Sequence, residues 1–142
     1  MTREEIMEIL PHRDPFFLVD EVVSYDVTKD KEKIICQKFI TGKEDIFNGH
    51  FPDKPIWPGA YILEGFAQSA GLLTFFMAER DGQSKKKEGL FSRVKEAKFL
   101  KLVEPDNALI YIVKFDATKK FFTFLSVRQW LIINGLLVQK LH

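Results

Sequence analysis

The residues best suited to chemistry lie close together in the middle of the chain, between residues 48 and 68. His50 can remove a proton, because an imidazole titrates near neutral pH. Glu64 can deliver one, because burial among apolar neighbours favours the protonated form of a carboxyl. Gly59 opens a helix whose free N–H groups could stabilise negative charge on a carbonyl oxygen. Together these groups are suited to eliminating water across a bond next to a carbonyl.

The spacing of the polar residues indicates which of them can meet. Gln68 follows Glu64 by about one helical turn, so the two lie on one face of a helix and can hydrogen-bond. Each residue also has a plain structural reading, in which His50 is a loop histidine satisfied by its neighbours and Glu64 is a polar anchor. Sequence spacing alone leaves both readings open.

One long helix and several strands must position these groups. The apolar residues of the segment 59–80 point in nearly every direction, which predicts a helix buried on most sides. A short helix is predicted at residues 3–9 and a long ordered loop at 41–59. Strands are predicted at residues 16–27, 34–40, 90–99, 108–115, 121–133 and 136–141, the last two joined by a hairpin turn at Asn134 and Gly135. A single buried helix among five or six strands predicts an α+β fold with a curled antiparallel sheet around the helix.

The composition is that of an ordinary folded domain. The 142 residues predict one domain over residues 1–142. Cys36 has no second cysteine to pair with, which favours a reducing cytoplasm. The apolar stretch 61–78 is interrupted by Glu64 and other polar residues, so no membrane span is expected. The second half of the chain is the more basic, which fits either a soluble surface or an acidic partner, and no nucleic-acid partner is expected.

Several segments resemble one known family. Residues 10–20, read as Leu-Pro-His-Arg-Asp-Pro-Phe-Phe-Leu-Val-Asp, are similar to its opening motif. Its active-site signature is matched by residues 49–52, by Pro58 with Gly59, and by Glu64, Gln68 and Gly71. On these motifs the chain resembles the β-hydroxyacyl-acyl carrier protein dehydratases of the FabZ type, in the FabA/FabZ hotdog-fold family.

The resemblance implies a role for each site residue. His50 would remove the Cα proton of a (3R)-3-hydroxyacyl thioester, and Glu64 would protonate the departing hydroxyl to leave a trans-2-enoyl product. The N–H of Gly59 would polarise the thioester carbonyl, while Gln68 would hold Glu64 in place. The family carries its catalytic pair across a dimer interface, so a homodimer or a trimer of dimers is expected. No metal ion or other cofactor is expected.

The resemblance also implies an acyl carrier protein as the substrate carrier in fatty acid biosynthesis. The many Phe residues could line a narrow acyl tunnel, and Leu90 and Phe91 fall where the family places its tunnel-gating segment. Because the carrier is strongly acidic, the basic run along one strand is the candidate docking patch; it comprises Arg93, Lys95, Lys98 and Lys101, with residues 85–87 as a less specific alternative.

Two departures from the family pattern leave other functions open. Trp57 and Tyr61 are bulkier than the residues the family usually has near the mouth of the site. Acyl length and carrier preference therefore stay open, as does a specialised or non-catalytic acyl-binding paralogue. A hotdog acyl thioesterase is the other enzymatic alternative, which would hydrolyse the thioester instead of removing water.

Overall fold

The fold consists of one antiparallel sheet and one long helix. The computed structural model describes residues 1–83, 89–116, 121–126 and 131–140, and the side chains of residues 1–83, 94 and 96–116. Helix α1 spans Arg3–Ile9, a single 3₁₀ turn spans Asp45–Asn48, and helix α2 spans Gly59–Arg80. The strands are β1 (Glu21–Asp26), β2 (Lys33–Ile40), β3 (Gly89–Phe99), β4 (Asn107–Asp116), β5 (Phe121–Ser126) and β6 (Leu131–Lys140).

The strands form a six-stranded sheet in the order β1-β2-β4-β5-β6-β3. All neighbouring pairs are antiparallel, and α2 packs against β2, β4 and β3. The α+β class with a central helix against an antiparallel sheet is therefore confirmed. β3, which directly follows α2 in sequence, lies at one edge of the sheet. Its last residue, Phe99, lies close to Gly59 at the start of the helix.

Helix α2 is buried on most sides, as its apolar pattern predicts. Of the 22 residues in the helix, only Ala60 and Glu79 are exposed. Its core side chains pack with those of β2 and β4, and the fully buried Tyr111 of β4 lies against both Phe66 and the backbone at Gly65. Among the described residues, no helix has the length and apolarity needed to cross a membrane.

The core holds two ionisable groups that are neutral near pH 7. Burial raises the pKa of the Cys36 thiol to about 12, and burial also raises the pKa of the Tyr111 hydroxyl. The Tyr111 hydroxyl has no hydrogen-bond partner within the described residues. Both groups therefore act as packing elements of the core and not as reactive groups.

Two of the predicted strand boundaries are wrong. The predicted hairpin at Asn134 and Gly135 does not exist, because β6 runs through both residues as one strand. Opposite β5, the extra residue is absorbed as a bulge, since Phe122 pairs with Leu136 and Phe124 with Ile133. The segment predicted as one strand at 121–133 thus contains β5 and the first three residues of β6, and the segment predicted at 136–141 covers the second half of β6. The link between β5 and β6, residues 127–130, lies outside the described residues.

The first predicted strand also begins later than expected. The sequence predicts a strand at 16–27, whereas β1 begins at Glu21. The backbone at Phe16 and Leu18 hydrogen-bonds instead to the side chain of Gln68. A side chain of α2 thus takes up the polar groups that a sheet ladder would otherwise use.

The two interior glycines of α2 provide a test of how closely the helix approaches the sheet. A Cβ added at Gly65 would lie 2.3 Å from the Tyr111 hydroxyl oxygen, whereas one at Gly71 would meet only Leu10 Cδ2, at 3.5 Å. Gly65→Ala should therefore lower the free energy of unfolding by about 1 to 3 kcal/mol through overpacking. Gly71→Ala should raise it by up to about 1 kcal/mol through helix propensity. Chemical denaturation measures both, and equal effects would contradict this packing.

Candidate active site

His50 is held by the backbone of the loop that leads into α2. Its main-chain N–H donates to the Ile46 carbonyl at 2.9 Å, and its carbonyl accepts from the Ile56 N–H at 3.0 Å. Its ring nitrogen Nδ1 lies 2.8 Å from the Ile56 carbonyl oxygen. Because a carbonyl oxygen can only accept, Nδ1 is the donor and carries the proton of the neutral ring. Nε2 is therefore left with a lone pair and can act as a base.

The half-buried imidazole of His50 is also fixed by its sequence neighbour. The ring stacks on Phe51, with centroids 4.2 Å apart and planes inclined by 23°, and the peptide bond between the two residues is cis. Phe51 and Lys54 exchange two backbone hydrogen bonds that close the turn after His50. The Phe51 ring itself is half exposed.

The start of α2 presents free backbone donors. Pro58 is the extended cap residue, and its carbonyl accepts from the N–H groups of Tyr61 and Ile62. The N–H groups of Gly59 and Ala60 have no hydrogen-bond partner within the described residues, as expected for the first turn of a helix. They are suited to bind a carbonyl oxygen that gains negative charge.

Gly59 is held against the end of β3. A Cβ at this position would lie 2.8 Å from two ring carbons of Phe99. The absence of a side chain therefore allows the Phe99 ring to cover the first turn of the helix. The Trp57 N–H donates to the Val103 carbonyl at 2.7 Å. This bond joins the segment just before Gly59 to the segment just after Phe99.

Glu64 lies on the next turn of α2 with one carboxyl oxygen engaged. Its side chain is 21% exposed, so water or a ligand can reach it. Gln68 Nε2 donates to Glu64 Oε1 at 3.0 Å. The His12 ring nitrogen Nε2 lies 3.3 Å from the same oxygen. The carboxyl thus has one oxygen facing two nitrogen atoms.

Gln68 is buried, and backbone groups determine the orientation of its amide. Its Oε1 accepts from the Leu18 N–H at 2.9 Å, and its Nε2 donates to the Phe16 carbonyl at 2.9 Å. Because a backbone N–H can only donate and a carbonyl can only accept, the amide cannot be reversed. The remaining hydrogen on Nε2 is therefore directed at Glu64.

An aromatic cluster lies beside this part of the helix. The Tyr61 ring makes edge contacts with Phe16, at 5.6 Å between centroids, and with Trp57, at 5.4 Å. Trp57 is buried and also contacts Phe47 at 5.9 Å, whereas Phe16 is partly exposed. The two bulky residues noted in the sequence therefore pack together close to the start of α2.

The structure brings some of the predicted site residues together and leaves others apart. Glu64 and Gln68 hydrogen-bond as predicted. No hydrogen bond or ion pair joins His50 to Glu64 within the described part of one chain. Reasoning from the sequence missed the contact of His12 with Glu64, although His12 belongs to the opening motif. The described residues contain no group of three or more His, Cys, Asp or Glu side chains placed to bind a metal ion.

The predicted tunnel and docking residues are only partly described. Leu90, Phe91, Arg93 and Lys95 lie on β3, but their side chains lie outside the described residues. Lys98 is exposed and pairs with Glu96 at 2.9 Å, and Lys101 is exposed at the end of the same segment. Part of the positive charge of the predicted patch is thus compensated by a neighbouring carboxylate.

Comparisons with known proteins agree on one family. Residues 10–142 match the family model described as a FabA-like domain. The chain is 44% identical over 112 residues to the 3-hydroxyacyl-(acyl-carrier-protein) dehydratase FabZ of Chlamydia caviae, covering 79% of this chain and 70% of that protein. It is 38% identical over 112 residues to the protein of the same name from Aeromonas hydrophila, covering 79% and 72%.

Two solved structures have a similar fold. One is the dehydratase heterocomplex ApeI:P from Xenorhabdus doucetiae, with a TM-score of 0.60, 20% sequence identity, and coverage of 86% of this chain and 97% of the other. The second is an uncharacterised protein from Erwinia carotovora subsp. atroseptica, with a TM-score of 0.59, 16% identity, and coverage of 87% and 94%. With the family match, these likenesses confirm the expected hotdog fold.

Proposed function

Because the chain belongs to the FabA-like family, we propose that it is a (3R)-3-hydroxyacyl-acyl carrier protein dehydratase of fatty acid biosynthesis. Residues 1–142 act as a single dehydratase domain, and the product is a trans-2-enoyl thioester. Relatives at 42 to 45% identity carry this activity in their names. The observation that carries the proposal is the donation from His50 Nδ1 to the Ile56 carbonyl, because it leaves Nε2 basic.

The reaction is an elimination with one proton removed and one delivered. His50 Nε2 takes the Cα proton, and the electrons of the Cα–H bond form the new double bond. The bond from Cβ to the hydroxyl oxygen breaks, and the proton of Glu64 joins that oxygen so that water leaves. The N–H of Gly59 binds the thioester oxygen, which gains negative charge as the Cα proton departs. Transfer of the proton from His50 back to Glu64 through water restores both groups.

The complete site is formed by two copies of the chain. Within the described part of one chain, no hydrogen bond or ion pair joins His50 to Glu64. β3 is an edge strand of 11 residues, and long unpaired edges tend to bind a further strand. Large apolar side chains are exposed near His50 and the end of β3; they are Phe51, Phe99, Leu100 and Leu102. A homodimer, alone or within a trimer of dimers, would cover this surface and combine His50 of one chain with Glu64 of the other.

The substrate reaches the site on an acyl carrier protein. Leu90 and Phe91 gate the acyl tunnel, and the acidic carrier docks on Arg93, Lys95, Lys98 and Lys101. The exposed positions of Lys98 and Lys101 support this assignment. The reaction takes place in the cytoplasm, which is a reducing compartment and therefore keeps the unpaired Cys36 thiol reduced.

The dehydratase assignment is tested with a 3-hydroxyacyl thioester. The wild-type protein should produce enoyl absorbance without free thiol. His50→Ala and Glu64→Gln should each lower kcat by about 100-fold or more, because each removes one of the two proton-transfer groups. Thiol release without enoyl product would establish a thioesterase instead, and absence of both signals would favour an acyl-binding protein.

Sharing of the site between two chains is tested by mixing the two inactive variants. Dimers containing one His50→Ala chain and one Glu64→Gln chain should have one intact site out of two. Random exchange at equal amounts should therefore restore about one quarter of wild-type activity, as expected for a two-fold symmetric dimer. Different affinity tags on the two variants show whether exchange has occurred. Inactivity of purified mixed dimers would contradict a site formed between chains.

The docking patch is tested by reversing charge at its two described lysines. The double variant Lys98→Glu, Lys101→Glu should raise KM for a carrier-linked substrate, because like charges then face the acidic carrier. KM for the same acyl group on a small pantetheine analogue should not change. Equal effects on both substrates would remove this patch from the carrier interface.

A further inference from the structure

His12 contacts the catalytic carboxyl, but the proposed function gives it no role. It lies in the segment between α1 and β1, next to the buried Leu10. Arg13 fixes the local backbone, because its Nη1 donates to the carbonyl oxygens of both Leu10 and His12. The His12 side chain is 30% exposed and reaches Glu64 Oε1 with its Nε2 at 3.3 Å. The backbone that places the His12 imidazole beside the Glu64 carboxyl is thus itself held by the Arg13 side chain.

Gln68 defines what Glu64 Oε1 can do in this contact. The Gln68 amide is oriented by Leu18 and Phe16, so its Nε2 is a donor towards Glu64. Glu64 Oε1 is therefore an acceptor, and it acts as the carbonyl oxygen when the carboxyl is protonated. A second donor at this oxygen is compatible with that arrangement, and the proton of the acid is left to Oε2.

The tautomer of His12 follows from its other ring nitrogen. Nδ1 is buried and has no hydrogen-bond partner within the described residues. A buried N–H without an acceptor is rarer and more costly than an unused lone pair. The neutral ring is therefore better accommodated with its hydrogen on Nε2, which faces Glu64 Oε1. At 3.3 Å the contact is slightly longer than an ordinary hydrogen bond, and such contacts often tighten when substrate is bound.

We propose that His12 is a positioning residue for the acid: its Nε2–H and the Gln68 amide both donate to Glu64 Oε1, so that Oε2 carries the proton delivered to the leaving hydroxyl. This inference rests on the dehydratase function proposed above. It assigns the two carboxyl oxygens different tasks, one bound by the protein and the other directed at the substrate. His12 neither gains nor loses a proton during the elimination. Its Nε2–H only donates a hydrogen bond to Glu64 Oε1.

Two substitutions of His12 test its hydrogen-bond donor and its ring separately. His12→Phe keeps a ring beside Phe16 and removes the donor, whereas His12→Gln removes the ring and keeps an amide donor at a similar reach. His12→Phe should lower kcat about tenfold, the effect of one hydrogen bond, with KM changed less than about twofold. His12→Gln should restore most of the loss. Thermal unfolding of both variants should remain close to that of the wild type.

The outcomes distinguish this inference from the proposed function. If the wild type forms no enoyl product, the dehydratase assignment fails, and infrared spectroscopy then tests His12 on its own. The carbonyl band of protonated Glu64, identified by its loss in Glu64→Gln, should shift to higher frequency in His12→Phe and return in His12→Gln. An unchanged kcat in His12→Phe, equal losses in the two variants, or an unmoved band would each overturn the role of His12.

Discussion

The site depends on one buried amide, that of Gln68. Its two ends are occupied by a backbone N–H and a backbone carbonyl from the segment before β1, which forces the remaining hydrogen towards Glu64. An isolated carboxyl on a helix could rotate freely and present either oxygen. Here a chain of fixed donors and acceptors removes that freedom, because each group has only one way to satisfy its neighbour. The orientation of the Glu64 carboxyl, the proposed acid, is thus set by the backbone.

The same amide explains why the chain at residues 16–18 is not a strand. The Phe16 carbonyl and the Leu18 N–H bind Gln68 of the helix, so the chain crosses α2 before it enters the sheet at Asp20, whose N–H donates to the Gln37 carbonyl of β2. The crossing is secured at its far end by Asp20, whose carboxylate accepts from Arg3, from Lys38 and from the Phe39 N–H. Arg3 also lies over the Phe17 ring, 4.6 Å from its centroid. Charged contacts of Asp20 and the packing of Arg3 on the buried Phe17 ring therefore stabilise the segment that orients Gln68.

The sequence was sufficient for the features that depend on local pattern. The bounds of α1 and α2, the loop carrying His50 and the pairing of Glu64 with Gln68 all follow from periodicity, from proline and glycine positions, and from helical spacing. The errors arise where tertiary contacts override local preference. Asn134 and Gly135 favour a turn in isolation, yet Ile133 and Leu136 on either side of them pair with both β3 and β5, which holds the two residues in a strand. His12 could not be found from spacing, because its contact with Glu64 joins segments far apart in the chain.

The contact between Gly59 and Phe99 also limits which substitutions the protein can accept at position 59. Every change that replaces this glycine with another amino acid introduces a Cβ. At this position that atom would enter the space of the Phe99 ring, 2.8 Å from its carbons. A substitution at 59 can therefore be accommodated only together with a movement or a replacement at 99. The first turn of the helix and the last residue of β3 form a pair whose substitutions are coupled, although neither neighbours the other in sequence.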